Sequence, residues 1–261
     1  MASGQVPETG DLAGWGGSLD LDPRISREIL RFQDESGLSP AQAQAFAGAI
    51  RSRIFSSAGE RVAQLQTGEC TPFVDVTMGK SDLPLPEGSG GKEKKAWEGF
   101  EESLIRTEMV ACLETEITDA EAVLQLYVSP EFRMVAESRI IDMWDDEEGA
   151  CMETKGVLSL VEPTRVCNRI QDFRADGVAA QHSQVVFNAG EKPYQDVYFK
   201  ESLKTFVRIP GGMALHYINF ARAGGLGRIE RWAGPGQIRG SQEGNVKELQ
   251  RRLRLRSSGR P

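Results

Sequence analysis

The segment from Lys200 to Arg222, KESLKTFVRIPGGMALHYINFAR, restricts the folds open to this chain more than any other stretch. Aromatic and branched residues alternate with polar ones on both sides of Pro210-Gly211-Gly212. This is the pattern of two antiparallel strands joined by a short glycine turn. An antiparallel sheet therefore has to grow outward from this hairpin.

Upstream, further strands are expected near residues 138–145, 150–161, 164–174 and 178–187, with the hairpin strands at 197–209 and 213–222. Asp145 to Gly149, Glu162-Pro163 and Asp176-Gly177 supply turn chemistry between them. Such short connections make successive strands antiparallel neighbours, so a meander results. Earlier still, Ile105, Thr107, Met109, Ala111, Leu113, Thr115 and Ile117 alternate with Arg106, Glu108, Glu114 and Glu116, which reads as a long strand with one wet face. A shorter strand is expected within residues 71–78, from Phe73, Val74 and Val76.

Helices frame these strands. Asp22-Pro23 opens one, with Ile25, Ile29 and Phe32 on a single face and Gly37 as its stop. Ser39-Pro40 opens a second, carrying Phe46, Ile50, Ile54, Val62 and Leu65 and ending at Gly68. Asp119 caps a third, in which Val123, Leu124, Tyr127 and Val128 face inward. The last begins near Glu243, where Val246, Leu249 and Leu253 recur at three and four among arginines. The organisation read from these patterns is a flexible N-terminus over residues 1–21, a helical segment over 22–68, one domain over 69–256 and a tail over 257–261. The stretches Asp82 to Lys94 and Ala223 to Gly240 read as exposed loops able to gate an interior.

A net charge of -7 argues against a nucleic-acid partner. Cys70, Cys112, Cys151 and Cys167 form no CxxC pair, so neither zinc nor a redox motif is expected, and buried free thiols are the default. No basic-then-apolar leader and no run of about 18 apolar residues is present, which points to a soluble protein of the cytoplasm.

Motifs for chemistry are sparse. Gly224-Gly225-Leu226-Gly227 follows a strand as a phosphate loop would, but no amphipathic helix is expected directly behind it and no GK[ST] follows. The two histidines, His182 and His216, lie in strands without a metal-ligand interval, so neither a metal nor another cofactor is expected. No catalytic residue is assigned. The acidic run Asp145 to Glu148 fits a solvated turn better than a calcium loop. The C-terminal helix carries Lys247, Arg251, Arg252, Arg254 and Arg256, a basic face able to rest on anionic lipid headgroups or to stay solvated.

The order of elements carries a resemblance: a strand to Ile117, the TDAEAVLQLYVSPEF helix with Tyr127, strands such as that from Pro163-Thr164-Arg165 to Asp172-Phe173-Arg174, and the closing VKELQRRLR helix. It resembles the helix-grip layout of START-like lipid-transfer domains and the wider Bet v 1 and polyketide-cyclase-like group, over about Thr71 to Arg256. The resemblance implies an α+β fold in which a curved antiparallel sheet grips a long C-terminal helix, here preceded by two N-terminal helices. It also implies an internal cavity for an apolar ligand or lipid, with binding, transfer or sensing as the function. Met109, Leu113, His182, Phe187, Tyr217 and Asn219 are the candidate ligand contacts, and Arg251, Arg252 and Arg254 the candidate membrane contacts. Two other readings stay open: an adaptor with a filled core, and a cyclase- or hydratase-like enzyme using His182 or His216 beside a carboxylate or tyrosine.

Overall fold

The computed structural model describes residues 40–79, 90–102, 104–129, 139–146, 149–155, 164–189, 197–223 and 228–258. In chain order these form α1 (Pro40–Gln66), β1 (Phe73–Met78), α2 (Gly91–Glu101), β2 (Ile105–Glu114), α3 (Ala120–Val128), β3 (Arg139–Asp146) and β4 (Gly149–Lys155). There follow β5 (Thr164–Ala175), β6 (Val178–Ala189), β7 (Val197–Ile209), β8 (Gly212–Ala223) and α4 (Arg228–Ser257). The helix expected over residues 22–37 lies outside the described residues.

All eight strands join one antiparallel sheet in the order β1-β2-β8-β7-β6-β5-β4-β3. The meander β3 to β8 runs as the turns dictate, and β2 closes against β8 with Met109 opposite Tyr217 and Thr107 opposite Asn219. The β7–β8 turn depends on two glycines. Gly211 has φ +79, in the left-handed region, and a Cβ on Gly212 would lie 2.1 Å from the Leu113 carbonyl oxygen. β8 can therefore meet β2 this closely only with glycine at its first residue.

Period-two alternation sends each strand's side chains to two different layers. On one face α1 lays Ile50, Ile54, Phe55, Ala58, Val62 and Leu65 over Val110, Ala180, Leu203, Val207, Ala214, Ile218 and Phe220. On the other, α3 and α4 bring Val123, Leu124, Tyr127, Leu249 and Leu253 against Met109, Leu113, Phe206, Met213, Leu215 and Tyr217. Asp119 caps α3 as expected, its carboxylate accepting the Glu121 N–H at 2.9 Å. Gln250 holds α4 to the end of β2 by accepting the Glu114 N–H at 3.0 Å and donating to the Glu114 carbonyl at 2.7 Å. An α+β fold with an antiparallel sheet gripping a long C-terminal helix is thus what this chain adopts.

Four expectations need correction. The wet face of β2 is covered only in its middle: Glu108 and Val110 are buried beneath α1, because that helix supplies both apolar cover and countercharge, while Glu114 stays exposed. Residues from Gly91 onward are helical, so only the earlier part of the Asp82 to Lys94 segment falls outside regular structure or outside the described residues. The glycine-dense stretch before Glu243 is also helix, since α4 begins at Arg228 and continues through Pro235. A helix thus follows the Gly224 to Gly227 segment, but nothing marks its first turns as amphipathic and the missing GK[ST] still stands. Finally, Cys70 and Cys112 are joined by a disulfide, with Cα atoms 6.0 Å apart. Their separation of 42 residues hides a contact that arises only when the segment after α1 folds back beside β2.

Candidate functional site

The two faces treat polar side chains differently. Beneath α1, Arg51 Nε donates to Glu201 Oε1 at 2.8 Å and Arg51 Nη2 to Gln184 Oε1 at 2.9 Å. His182 Nε2 lies 2.8 Å from the same Glu201 oxygen, and the Phe55 ring lies 5.5 Å from the imidazole. Burial alone would raise the Glu201 carboxyl, but the hydrogen bond from His182 and the Arg51 charge hold it below its ordinary value.

A second cluster lies across β2 and β8. His216 Nε2 is 3.2 Å from Glu108 Oε1, Arg61 Nη2 is 3.6 Å from the same oxygen, and Arg106 pairs with Glu108 Oε2 and, at 3.5 Å, with Asp75. Burial pushes His216 below its ordinary value despite Glu108, so the ring is neutral near neutral pH. Glu108 is lowered as well: burial opposes the charge, and His216, Arg106 and Arg61 overcome it. Each histidine therefore has the carboxylate partner that acid–base chemistry requires. Both rings are nonetheless sealed, with His182 3% and His216 0% exposed, and they face the helix α1. Their geometry ties the helix to the sheet.

On the α4 face, Met109, Leu113 and Tyr217 share one core cluster, and Asn219 continues their alternation along β8. Burial, with the neighbouring Tyr127, pushes the Tyr217 hydroxyl well above its usual range, so it stays protonated. Around this wall the polar atoms are left open: Thr107 Oγ1, Asn219 Oδ1 and Gln181 Oε1 are buried without a hydrogen-bond partner, while Gln181 Nε2 donates to Asp172 at 3.1 Å. At the sheet edge a groove of about 330 Å³ opens between β1, β2 and α4, lined by Phe73, Val74, Met109, Ala111, Val246 and Lys247. It shares Cys112, Val246 and Lys247 with a second groove of about 710 Å³ running along α4 past Gln250, Arg251 and Arg254.

Of the ligand contacts expected from sequence, the structure brings Met109, Leu113, Tyr217 and Asn219 to one face. His182 is on the opposite face, under α1, because β6 presents Ala180, His182 and Gln184 together on that side. Phe187 lies in β6 opposite Cys167, with its side chain outside the described residues. The expected membrane contacts are ion-paired: Arg251 and Arg252 grip Glu248, holding that carboxyl down at about 2, and Arg254 meets Glu114 at 3.1 Å. Sequence reasoning missed Phe73, Val74, Ala111 and Val246 as groove residues. The alternation of β2 could have flagged Ala111, but the approach of β1 to α4 has no local signal. Among the described residues no group of acidic, histidine or cysteine side chains is set to hold a metal.

No family model and no curated protein matches the sequence. Solved structures do. A STAR-related lipid transfer protein from Xanthomonas axonopodis is similar at 15% identity, over 71% of this chain and 98% of that one, with a TM-score of 0.48. A START superfamily protein from Mycobacterium smegmatis is similar at 9% identity, over 57% of this chain and 97% of that one, with a TM-score of 0.38. Human STARD10 is similar at 11% identity, over 58% of this chain and 63% of that one, with a TM-score of 0.39.

Proposed function

We propose that this protein binds an apolar or amphipathic small molecule on the α4 face of its sheet, for transfer or sensing. The observation that carries the reading is the groove between β1, β2 and α4, whose lining brings the half-buried Val74 and Val246 together with the buried Ala111 and Met109. Apolar area removed from water there contributes roughly 25 cal/mol per Å². Leu113, Tyr217 and Asn219 extend the same wall inward. Leu249 and Leu253 already fill the part nearest the β7–β8 turn, so a ligand would enter from the β1 edge. Arg251 and Arg254 remain more than half exposed in their ion pairs and are placed to meet anionic headgroups beside the groove. The cytoplasmic location read from the sequence meets one physical constraint, since the Cys70–Cys112 bridge persists where surroundings are oxidising.

The reading is tested by native mass spectrometry, with lipid extraction, of protein purified from its own cells. A stoichiometric apolar ligand supports it, and a ligand-free chain overturns it. Val246→Trp, which fills the shared part of both grooves, is expected to abolish ligand retention while leaving circular dichroism unchanged.

A further inference from the structure

The register of β4 against β5 sets Cys151 directly opposite Cys167, as Cα partners in adjacent antiparallel strands. Directly opposed residues in such a pair share one face of the sheet, and their Cα atoms lie about 4.5 or 5.5 Å apart according to the hydrogen-bonding pattern. Both spacings fall within the range of about 4.4 to 6.8 Å that a disulfide spans. The chain has four cysteines: Cys70 and Cys112 are bridged, and the sheet places the other two together. We infer that Cys151 and Cys167 form a second, cross-strand disulfide, and that this protein matures in an oxidising compartment.

The register is fixed by more than this pair. β4 and β5 stay in step from Gly149 opposite Arg169 to Thr154 opposite Thr164, and the irregularity beside Cys167 falls on the far side, between β5 and β6. A slip of one residue would part the cysteines and move one of them to the other face. In the closing step the two thiols lose two protons and two electrons and an S–S bond forms. The electrons pass to a protein disulfide of the thiol–disulfide oxidant class, which is reduced to its dithiol. Two bridges would be held open by the reducing thiol pool of a mesophile's cytoplasm, so a secretory, periplasmic or comparable space takes the place of the cytoplasm expected from the sequence.

The test uses the full chain exported to a bacterial periplasm, denatured without reductant in the presence of N-ethylmaleimide and digested with trypsin. Cleavage after lysine and arginine puts Cys151 in the peptide 140–155, Cys167 in 166–169, Cys70 in 62–80 and Cys112 in 107–133. The expected result is 140–155 linked to 166–169, 62–80 linked to 107–133, and no maleimide adduct on the intact chain. Maleimide on Cys151 and Cys167 while 62–80 stays linked to 107–133 would overturn the second bridge, as would any linkage of Cys167 to Cys70 or Cys112. In the Cys151→Ser, Cys167→Ser double variant the link between 62–80 and 107–133 is expected to persist, and its loss would show that the pairs are not independent.

Discussion

One sheet here faces two different layers. Against α1 charged groups are tied to one another, Arg51 to Glu201 and Gln184, His182 to Glu201 and His216 to Glu108, although Gln184 Nε2, Glu201 Oε2, Thr205 Oγ1 and His216 Nδ1 there lack a partner. Against α4 the buried polar groups are neutral, and Thr107, Asn219 and Gln181 each leave an oxygen without a partner beside an apolar wall that opens as a groove at the β1 edge. A layer whose charges cross-link it is locked. Unpartnered polar atoms occur in both layers, so what sets the α4 layer apart is the absence of such ion pairs among its described buried groups and the groove at its β1 edge. Burying a polar group without a partner costs free energy, so chains keep such groups where another role offsets it.

The largest effect should come from breaking the locked side. Glu201→Gln keeps the shape but leaves the buried Arg51 guanidinium facing a neutral amide, and should destabilise the fold by about 3 to 5 kcal/mol in urea denaturation. A loss below about 1 kcal/mol would show that the cluster is not a lock.

Acid should act on the same face, more gently. His216, Glu108 and Glu201 all titrate lower in the fold than their ordinary values of 6.5, 4.5 and 4.5. A group lowered in this way contributes fully above its unfolded value, and the contribution drains as pH falls toward the folded value. Stability should therefore begin to decline below pH 6.5 through His216 and fall further below 4.5 through the two glutamates. Urea midpoints across that range check this, and His216→Gln should flatten the upper part of the curve. A midpoint rising on acidification would contradict the assignment.

A neutral, unpartnered group on the α4 face should respond with the opposite sign. Thr107→Val removes a buried hydroxyl that has no partner and keeps its volume, so it should raise stability by about 1 kcal/mol. A comparable loss would mean that the hydroxyl is satisfied in solution and that the two faces are more alike than they look.

Local rules made much of the sheet readable before the fold was known. The 200–222 hairpin, the Asp119 cap and the turn at Asp176-Gly177 each depend on residues within a few positions of one another, and all three fall where the sequence put them. The alternation of β8 separated Leu215, Tyr217 and Asn219 from His216, Ile218 and Phe220, but it could not say which set faces α4. That depends on where α1 docks, a contact between segments more than 100 residues apart, as in the 150-residue separation of Arg51 and Glu201. The same distance effect hid the Cys70–Cys112 bridge and the groove. The glycines and Pro235 before Glu243 read locally as loop, whereas the structure makes them part of a helix of 30 residues.

The difference between the faces is tested most directly by hydrogen exchange with and without an apolar reporter such as anilinonaphthalene sulfonate. The account expects bound reporter to slow exchange in residues 105–114 of β2 and 243–257 of α4, and to leave residues 47–65 of α1 unchanged. Slowing centred on α1, or no slowing anywhere in the sheet and α4, would contradict it.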